Sequence, residues 1–285
     1  MLFRNLVLPG ILLIAAGAVP VAFLVSGSPP ATQQTSLPIY QVQVVAKYKH
    51  DPKAFCQGLV VSGNELLEGT GQEGESTLRR VDLKTGKVLA KVDLHSEVFG
   101  EGITVLNKKV YQLTWKKEAG YIYDAKTLHY EKFFRYTGEG WGLTTDGRYL
   151  IMSDGTATLR YLDPTKIDPK TNRMKVVRRV KVLRDGNRSV RDLNELEYVN
   201  GEIFANIWHS GFVARINPKT GRVKSWLDLR PLRPAQVQSN EEAVWNGIAW
   251  DAKAKRLFVT GKDWPVLYEI KIKGDKLAGK DAVSR

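Results

Sequence analysis

The chain has 285 residues, of which 43% are hydrophobic and 26% charged, a composition typical of a folded globular protein and unlike that of a disordered or collagen-like chain. Lysine and arginine outnumber the acidic residues by 43 to 30, giving a formal net charge of +13. Because the basic residues are spread without a long block, they indicate a solvated surface more than a nucleic-acid groove. A single cysteine, Cys56, excludes an intrachain disulfide framework and a cysteine-cluster zinc site, and the four histidines lack the short spacings of a histidine-rich metal centre.

The N-terminal segment has the features of an export signal or a membrane anchor. Residues 6–25 contain no charged side chain and are long enough to cross a hydrocarbon layer as a helix. Ala16-Gly17-Ala18 resembles a signal-peptide cleavage site, whereas the length of the segment and its internal Pro9 and Pro20 fit an uncleaved anchor. Both interpretations predict an exported protein, periplasmic or secreted, that contacts a membrane only through this segment if it is not removed.

The rest of the chain contains an internal repeat. A triplet with an apolar last residue recurs at a spacing of about 40 to 50 residues, which is typical of the blades of a β-propeller. Each triplet opens a stretch in which two apolar runs flank a turn of Gly, Asn, Asp or Lys residues, the pattern of a β-hairpin. The five triplets are Gln57-Gly58-Leu59, Glu101-Gly102-Ile103, Trp141-Gly142-Leu143, Asn194-Glu195-Leu196 and Asn246-Gly247-Ile248.

The strands that follow the hairpins indicate how the repeats are joined. A second strand pair follows each of the first four hairpins, but the fifth unit ends after one further strand at residues 266–272. Residues 40–48 supply a spare strand at the other end of the body, so pairing it there closes a ring. We therefore predict an all-β, five-bladed β-propeller whose N-terminal strand pairs into the last blade. An open β-sandwich is the alternative, but it does not require this period.

These patterns divide the chain into four parts. We expect a signal peptide or membrane anchor over residues 1–26, a linker over 27–38, the propeller over 39–275 and a polar tail over 276–285.

Propeller geometry predicts which side chains meet. The first strand of each blade lines the central channel, and an antiparallel hairpin brings the start of its first strand and the end of its second strand to the same end. Any one tryptophan is more often a core residue, but here several converge with amides and a carboxylate, which indicates a site built on a symmetric scaffold. The residues predicted at one channel mouth are Gln57, Glu101, Trp141, Asn194, Asn246, Trp115, Trp208 and Lys262.

The sequence resembles the plant-type glutaminyl cyclases (glutaminyl-peptide cyclotransferases) that also occur in bacteria. The resemblance covers roughly residues 40–272, and although no single motif is decisive, eight occur in order. They are Phe55-Cys56-Gln57-Gly58-Leu59, Phe99-Gly100-Glu101-Gly102-Ile103-Thr104, Leu113-Thr114-Trp115, Gly140-Trp141-Gly142-Leu143, Leu193-Asn194-Glu195-Leu196-Glu197, Asn206-Ile207-Trp208, Asn246-Gly247-Ile248-Ala249-Trp250-Asp251 and Val259-Thr260-Gly261-Lys262. The resemblance implies a five-bladed propeller, in agreement with the repeat.

The resemblance also implies a reaction, in which the α-amine of an N-terminal glutamine attacks its own side-chain carboxamide, forms pyroglutamate and releases ammonia. Glu101 is the expected general acid/base, and the alternative is a channel carboxylate that only satisfies backbone N–H groups. By resemblance, Gln57 and Asn194 bind the substrate and Lys262 stabilises developing oxyanion charge. The residues expected to exclude water are Phe55, Phe99, Trp115, Trp141 and Trp208.

Four further residues are not expected to take part in the reaction. Asn246 occupies the matching place in the fifth unit, but we expect little direct contact with substrate. Glu195 and Glu197 share the opposite strand face from Asn194 and are expected to be structural. Cys56 stands where the family more often has a hydroxyl residue, and we interpret it as a small packed residue because the chemistry needs no covalent intermediate.

We expect no cofactor and no catalytic metal, although a structural cation on the propeller axis stays open. The expected partners are peptides or proteins with an N-terminal glutamine, bound by a monomer that does not bind nucleic acid. The main alternative is a non-catalytic exported propeller that binds peptides or a protein through the same mouth, and a second is a different hydrolase or lyase on this scaffold.

Overall fold

The computed structural model describes residues 36–274 of the chain. The predicted signal or anchor (1–26), most of the predicted linker (27–38) and the predicted tail (276–285) lie outside the described residues. Within the described range, none of the helices has the length and apolar character needed to cross a membrane.

The described chain is built from twenty strands and three short 3₁₀ turns. The turns are Asp185–Asn187, Arg230–Leu232 and Ala235–Val237. The strands are β1 (Ile39–Lys49), β2 (Cys56–Ser62), β3 (Glu65–Thr70), β4 (Thr77–Asp82), β5 (Val88–Asp93), β6 (Gly100–Leu106), β7 (Lys109–Thr114), β8 (Ala119–Asp124), β9 (Tyr130–Arg135), β10 (Leu143–Thr145), β11 (Leu150–Met152), β12 (Thr158–Ile167), β13 (Met174–Lys181), β14 (Leu193–Val199), β15 (Glu202–Ile207), β16 (Phe212–Ile216), β17 (Val223–Asp228), β18 (Trp245–Asp251), β19 (Arg256–Gly261) and β20 (Val266–Ile272).

The strands form three four-stranded antiparallel sheets, β2 to β5, β6 to β9 and β10 to β13, and one eight-stranded sheet. The larger sheet joins β14 to β17 with β18 to β20 through β1, which pairs antiparallel with β20 and parallel with β17. Val42 lies opposite Ile272, whereas Ile39 lies opposite Trp226. The all-β class and the pairing of the N-terminal strand into the last unit are therefore confirmed.

The first strands of the units contact one another in a closed cycle, β2 to β6, β10, β14, β18 and back to β2. Glycines in the repeated triplets allow this approach. A Cβ atom on Gly102 would lie 2.6 Å from the backbone nitrogen of Leu143, and one on Gly142 would overlap the carbonyl oxygen of Asn194. Because these contacts are with backbone, which cannot move aside cheaply, the glycines of the first three triplets are a packing requirement of the central channel.

Five hydrophobic clusters fill the spaces between successive units. In one, Leu67 and Leu78 of the first unit pack with Ile103 and Val110 of the second. Burial of such apolar side chains stabilises the folded state by roughly 1.5 to 3 kcal/mol for each fully buried residue. The other four clusters join the second unit to the third, the third to the fourth, the fourth to the fifth and the fifth to the first. An open sandwich does not account for this cyclic order of contacts, whereas a propeller-like arrangement does.

Candidate active site

One cavity at the end of the channel collects the site residues that the sequence predicts. Its volume is about 240 Å³. It is lined by Phe55, Gln57, Phe99, Glu101, Trp115, Trp141, Asn194, Trp208 and Lys262, together with Glu242. All nine residues assigned to the site from the sequence thus lie together, Asn246 lies outside the lining, and Glu242 was not predicted.

Irregular pairing at the start of the inner strands turns the polar side chains towards the cavity. The pairing of β2 with β3 shifts register between Cys56 and Gly58, on either side of Gln57. Corresponding shifts occur in the pairing of β6 with β7 and of β14 with β15, at the positions of Glu101 and Asn194. A β-bulge redirects a side chain and ends regular pairing, and bulges are frequent next to active sites. The repeated scaffold therefore presents Gln57, Glu101 and Asn194 at one end of the channel.

Glu101 is a buried carboxyl group whose Oε2 atom has no hydrogen-bond partner. Burial raises its pKa well above the usual range for a glutamate, the charge of Lys262 opposes that rise, and the charge of Glu139 adds to it. The carboxyl group therefore favours its protonated form more than a surface glutamate does. A carboxyl with a raised pKa in a cavity is suited to proton transfer near neutral pH.

Lys262 follows strand β19 and is also buried, with 4% of its surface exposed. Its Nζ lies 4.5 Å from the centre of the Phe55 ring, a cation–π distance. Burial lowers the pKa of Lys262, and the charge of Glu101 partly opposes that change. The two groups line the same cavity but do not form a direct ion pair.

Gln57 and Asn194 offer complementary hydrogen-bonding groups to the cavity. The Nδ2 group of Asn246 donates to Gln57 Oε1 at 3.0 Å and to the Cys56 carbonyl oxygen at 2.9 Å. With its carbonyl thus engaged, Gln57 has its NH₂ group left for a ligand. Asn194 Oδ1 is buried without a partner and is therefore an acceptor available to a ligand N–H.

The aromatic walls are packed edge to face. Phe99 lies between Phe55 and Trp115, with ring centres 6.0 and 5.5 Å away, and Trp141 meets Trp208 at 5.5 Å. Such contacts limit the movement of the rings and keep the cavity apolar outside its few polar groups.

Glu139, which the sequence did not indicate as a site residue, accepts hydrogen bonds from two of these indoles. Trp115 Nε1 and Trp141 Nε1 both donate to Glu139 Oε2, at 2.8 and 2.9 Å. Its position two residues before Trp141 was visible in the sequence, but the second indole comes from a different hairpin and could be recognised only in the folded chain.

Glu195 and Glu197 lie on the same inner strand as Asn194 but do not line the cavity. Glu195 accepts hydrogen bonds from the backbone N–H groups of Ile248 at 2.9 Å and Leu59 at 3.4 Å, and Glu197 accepts one from Trp250 at 2.8 Å. Burial raises the pKa of both, that of Glu197 to about 8. These carboxyl groups link neighbouring units across the channel, as expected of structural residues.

Cys56 is fully buried in the cluster between the fifth and first units. Burial raises the pKa of its thiol well above the usual range, so the thiol is protonated and a poor nucleophile. As for metal ligands, residues 36–274 contain no group of three or more His, Cys, Asp and Glu side chains placed to hold an ion.

Comparisons with known proteins agree with this geometry. The family model for glutamine cyclotransferase matches residues 18–272. The curated glutaminyl-peptide cyclotransferase of Arabidopsis thaliana is 43% identical over 270 residues, which are 92% of this chain and 82% of the plant protein. The crystal structure of Myxococcus xanthus glutaminyl cyclase superposes with a TM-score of 0.76 at 34% identity, covering 84% of this chain and 98% of that protein. The chain therefore belongs to the glutamine cyclotransferase family of enzymes.

Proposed function

We propose that this chain is a glutaminyl-peptide cyclotransferase that converts the N-terminal glutamine of peptides or proteins to pyroglutamate and releases ammonia at the cavity around Glu101. The observation that carries the proposal is the unpartnered carboxyl oxygen of Glu101, buried in a cavity walled by aromatic rings. A module that only binds peptides has no need of a buried carboxyl with a raised pKa. Family membership supports the same activity.

The cavity promotes cyclisation first by holding the substrate folded. The nucleophile and the electrophile belong to one residue, so restricting that residue to the reactive conformer supplies much of the rate. Trp115, Trp141 and Trp208 enclose the side chain and exclude water. Asn194 Oδ1 accepts a hydrogen bond from the α-amine, and the Gln57 NH₂ group donates to the carboxamide oxygen.

Glu101 moves the proton. One proton is shared between the α-amine and the Glu101 carboxyl in the reactive complex. Burial of the carboxyl favours the state in which this proton is on Glu101, which leaves the amine neutral and nucleophilic. The amine nitrogen attacks the carboxamide carbon and forms the new C–N bond. Glu101 gives its proton to the departing NH₂ group, the old C–N bond breaks, and ammonia leaves. The ring nitrogen then returns one proton to Glu101, so the enzyme is regenerated.

Lys262 stabilises the intermediate of this reaction. As the amine attacks, the carboxamide oxygen gains negative charge, and a positive group fixed in a cavity of low polarity stabilises that charge more strongly than water does. No step of this scheme uses a metal or another cofactor, and we expect activity to survive dialysis against a chelator.

The test is the rate of ammonia release from a dipeptide that begins with glutamine. Glu101→Gln keeps the size of the side chain but removes its titratable proton, so kcat is expected to fall by about 10²- to 10⁴-fold while KM changes little. Glu131→Gln is the matched control. Glu131 lies on β9, the outer strand of the same unit, and forms an ion pair with Lys109. Full turnover by Glu101→Gln would remove this residue from the mechanism. An inactive native protein that still binds the peptide would favour the non-catalytic alternative.

We further propose that residues 1–26 direct export of the enzyme. The support is the uncharged apolar run in the sequence. Fractionation of cells that express the full chain, and a chain lacking residues 1–26, tests this proposal. Retention of both proteins in the cytoplasmic fraction contradicts it.

A further inference from the structure

Glu139 joins two walls of the cavity through one oxygen atom. Its Oε2 accepts the indole N–H of Trp115, which follows β7, and that of Trp141, which precedes β10. The two indoles come from different units, and their shared bond to Glu139 fixes one ring relative to the other at the side-chain level. A hydrogen bond to a carboxylate is stronger and shorter than one to a neutral acceptor.

The turn that carries Glu139 is itself held in place. Arg160 Nη2 donates to the Glu139 carbonyl oxygen at 2.8 Å and lies 3.2 Å from Asp154 Oδ2, while the Gly140 N–H donates to the Trp115 carbonyl oxygen at 3.0 Å. The backbone of Glu139 is therefore held in place, so its carboxylate can orient the two rings. A solvated surface glutamate needs no such hydrogen-bonded support of its backbone.

The same carboxylate acts on Glu101 through its charge. The ionisable groups that act on Glu101 are Lys262 after β19, Glu139 before β10 and the phenol of Tyr136 after β9. Glu242 lines the same cavity, and its charge acts on Lys262. Glu139 raises the pKa of Glu101, and Lys262 lowers it. Near Glu139, Lys116 Nζ lies 3.7 Å from the centre of the Trp115 ring and so faces the same wall.

We propose that Glu139 is a positioning residue for the cyclisation: its carboxylate fixes the Trp115 and Trp141 rings that enclose the substrate glutamine, and it places a negative charge beside the cavity that holds Glu101. This inference rests on the proposed function. Glu139 does not contact the reacting atoms, and it acts through the two indoles and through Glu101.

Two substitutions separate these contributions. In Glu139→Gln the side-chain carbonyl oxygen can still accept both indole N–H groups, but the charge is gone. KM is therefore expected to stay within about twofold of the native value, whereas the pH profile of kcat moves to lower pH by roughly half a unit. Glu139→Ala removes the acceptor as well, and KM is expected to rise about tenfold because both rings lose their anchor. Glu131→Gln, which removes one negative charge from an outer strand, is expected to match the native enzyme in both measurements.

The assay is steady-state ammonia release across the pH range, with thermal unfolding recorded for each variant to establish that it is folded. A native KM in Glu139→Ala overturns the inference, and so does an unmoved pH profile in Glu139→Gln. If Glu139→Ala does not fold, the profile of Glu139→Gln decides alone. The Glu101→Gln variant is measured in parallel: if it is inactive while the Glu139 variants behave as the native enzyme, the positioning role fails but the proposed function stands.

Discussion

The side-chain NH₂ of Asn246 donates to the side-chain carbonyl of Gln57 at 3.0 Å, across the contact between the last and the first inner strands. Asn246 is fully buried and does not line the cavity, yet its hydrogen bond determines which end of the Gln57 amide faces the cavity. A residue outside the cavity lining thus orients a polar side chain within it.

Asn246→Asp is therefore expected to lower kcat/KM by about 10- to 100-fold. The new carboxylate replaces a donor with an acceptor, opposes the Gln57 carbonyl and rotates the amide, so the substrate oxygen loses its donor. The measurement is steady-state turnover of a dipeptide that begins with glutamine. Asn200→Asp, at an exposed turn between β14 and β15, is the control. Native kcat/KM in a folded Asn246→Asp protein would contradict this role for Asn246.

Lys262→Met is expected to lower kcat by about a hundredfold, because it removes the positive charge that stabilises the oxyanion while preserving the length of the side chain. Lys262 lowers the pKa of Glu101, so its loss also moves the pH profile of kcat to higher pH. This direction is opposite to that expected for Glu139→Gln.

Lys253→Met, in an exposed turn of the same unit, is the control for the change in net charge. A Lys262→Met enzyme with native kcat, or with a pH profile shifted to lower pH, would show that Lys262 does not act on the reacting centre.

His50 predicts a dependence of stability on pH. Both ring nitrogens contact acceptors, Nδ1 the Trp264 carbonyl oxygen at 2.6 Å and Nε2 the Glu68 carboxylate at 2.9 Å. Burial lowers the pKa of His50, but the charge and hydrogen bond of Glu68 outweigh burial and raise it overall. The same interaction lowers the pKa of Glu68 to about 2 despite burial, so Glu68 stays ionised in the folded protein above pH 5.

A histidine whose pKa is raised by folding stabilises the protein below its unfolded pKa of about 6.5, and this stabilisation is lost as the pH rises through the folded-state pKa. His50→Gln should therefore lower the free energy of unfolding by about 2 kcal/mol at pH 5.5 and by less at pH 9. Urea unfolding at both pH values measures the difference. The exposed His129→Gln should change it by less than about 0.5 kcal/mol. A larger deficit at pH 9 than at pH 5.5 would contradict a charged His50.

The Cys56 thiol should react slowly with alkylating reagents in the folded enzyme and should not be needed for turnover. Because the thiol is buried and its pKa raised, we expect alkylation by iodoacetamide to be at least about tenfold slower than in urea. Cys56→Ala should keep kcat within about threefold of the native value, since the backbone carbonyl that accepts from Asn246 is unchanged. Mass spectrometry and turnover assays measure the two effects. Loss of activity in a folded Cys56→Ala protein would point to a role for the thiol.

The arrangement of the site was predictable from the sequence because it depends on the repeat. Matching positions in repeated units lie at the same end of the channel, so Gln57, Glu101 and Asn194 could be placed together without coordinates. Trp141 was placed in the same way, and Trp115 and Trp208 followed from the ends of the hairpins. The resemblance to the glutaminyl cyclases added the roles of these residues, and it also added Phe55 and Phe99, which the repeat alone did not place at the channel mouth.

Contacts that break the symmetry of the repeat were not predictable. Glu139 and Glu242 lie in connections, whose paths the repeat does not determine. The bond from Asn246 to Gln57 and the buried contact between His50 and Glu68 depend on side-chain directions at bulges and strand ends. A shift of one residue in register reverses such directions, and sequence patterns locate strand ends only to within a few residues.

The double pairing of β1 has a consequence for folding during translation. This 11-residue strand is the first strand of the described chain, but it bonds to β17 and to β20, which are translated near the end. On a ribosome, the edge of β1 that pairs with β17 can be satisfied once Val223–Asp228 has emerged, whereas the edge that pairs with β20 stays unsatisfied until Val266–Ile272 has emerged. The ring therefore closes only after this strand has emerged, and a stop codon before Val266 would leave an unprotected edge prone to aggregation.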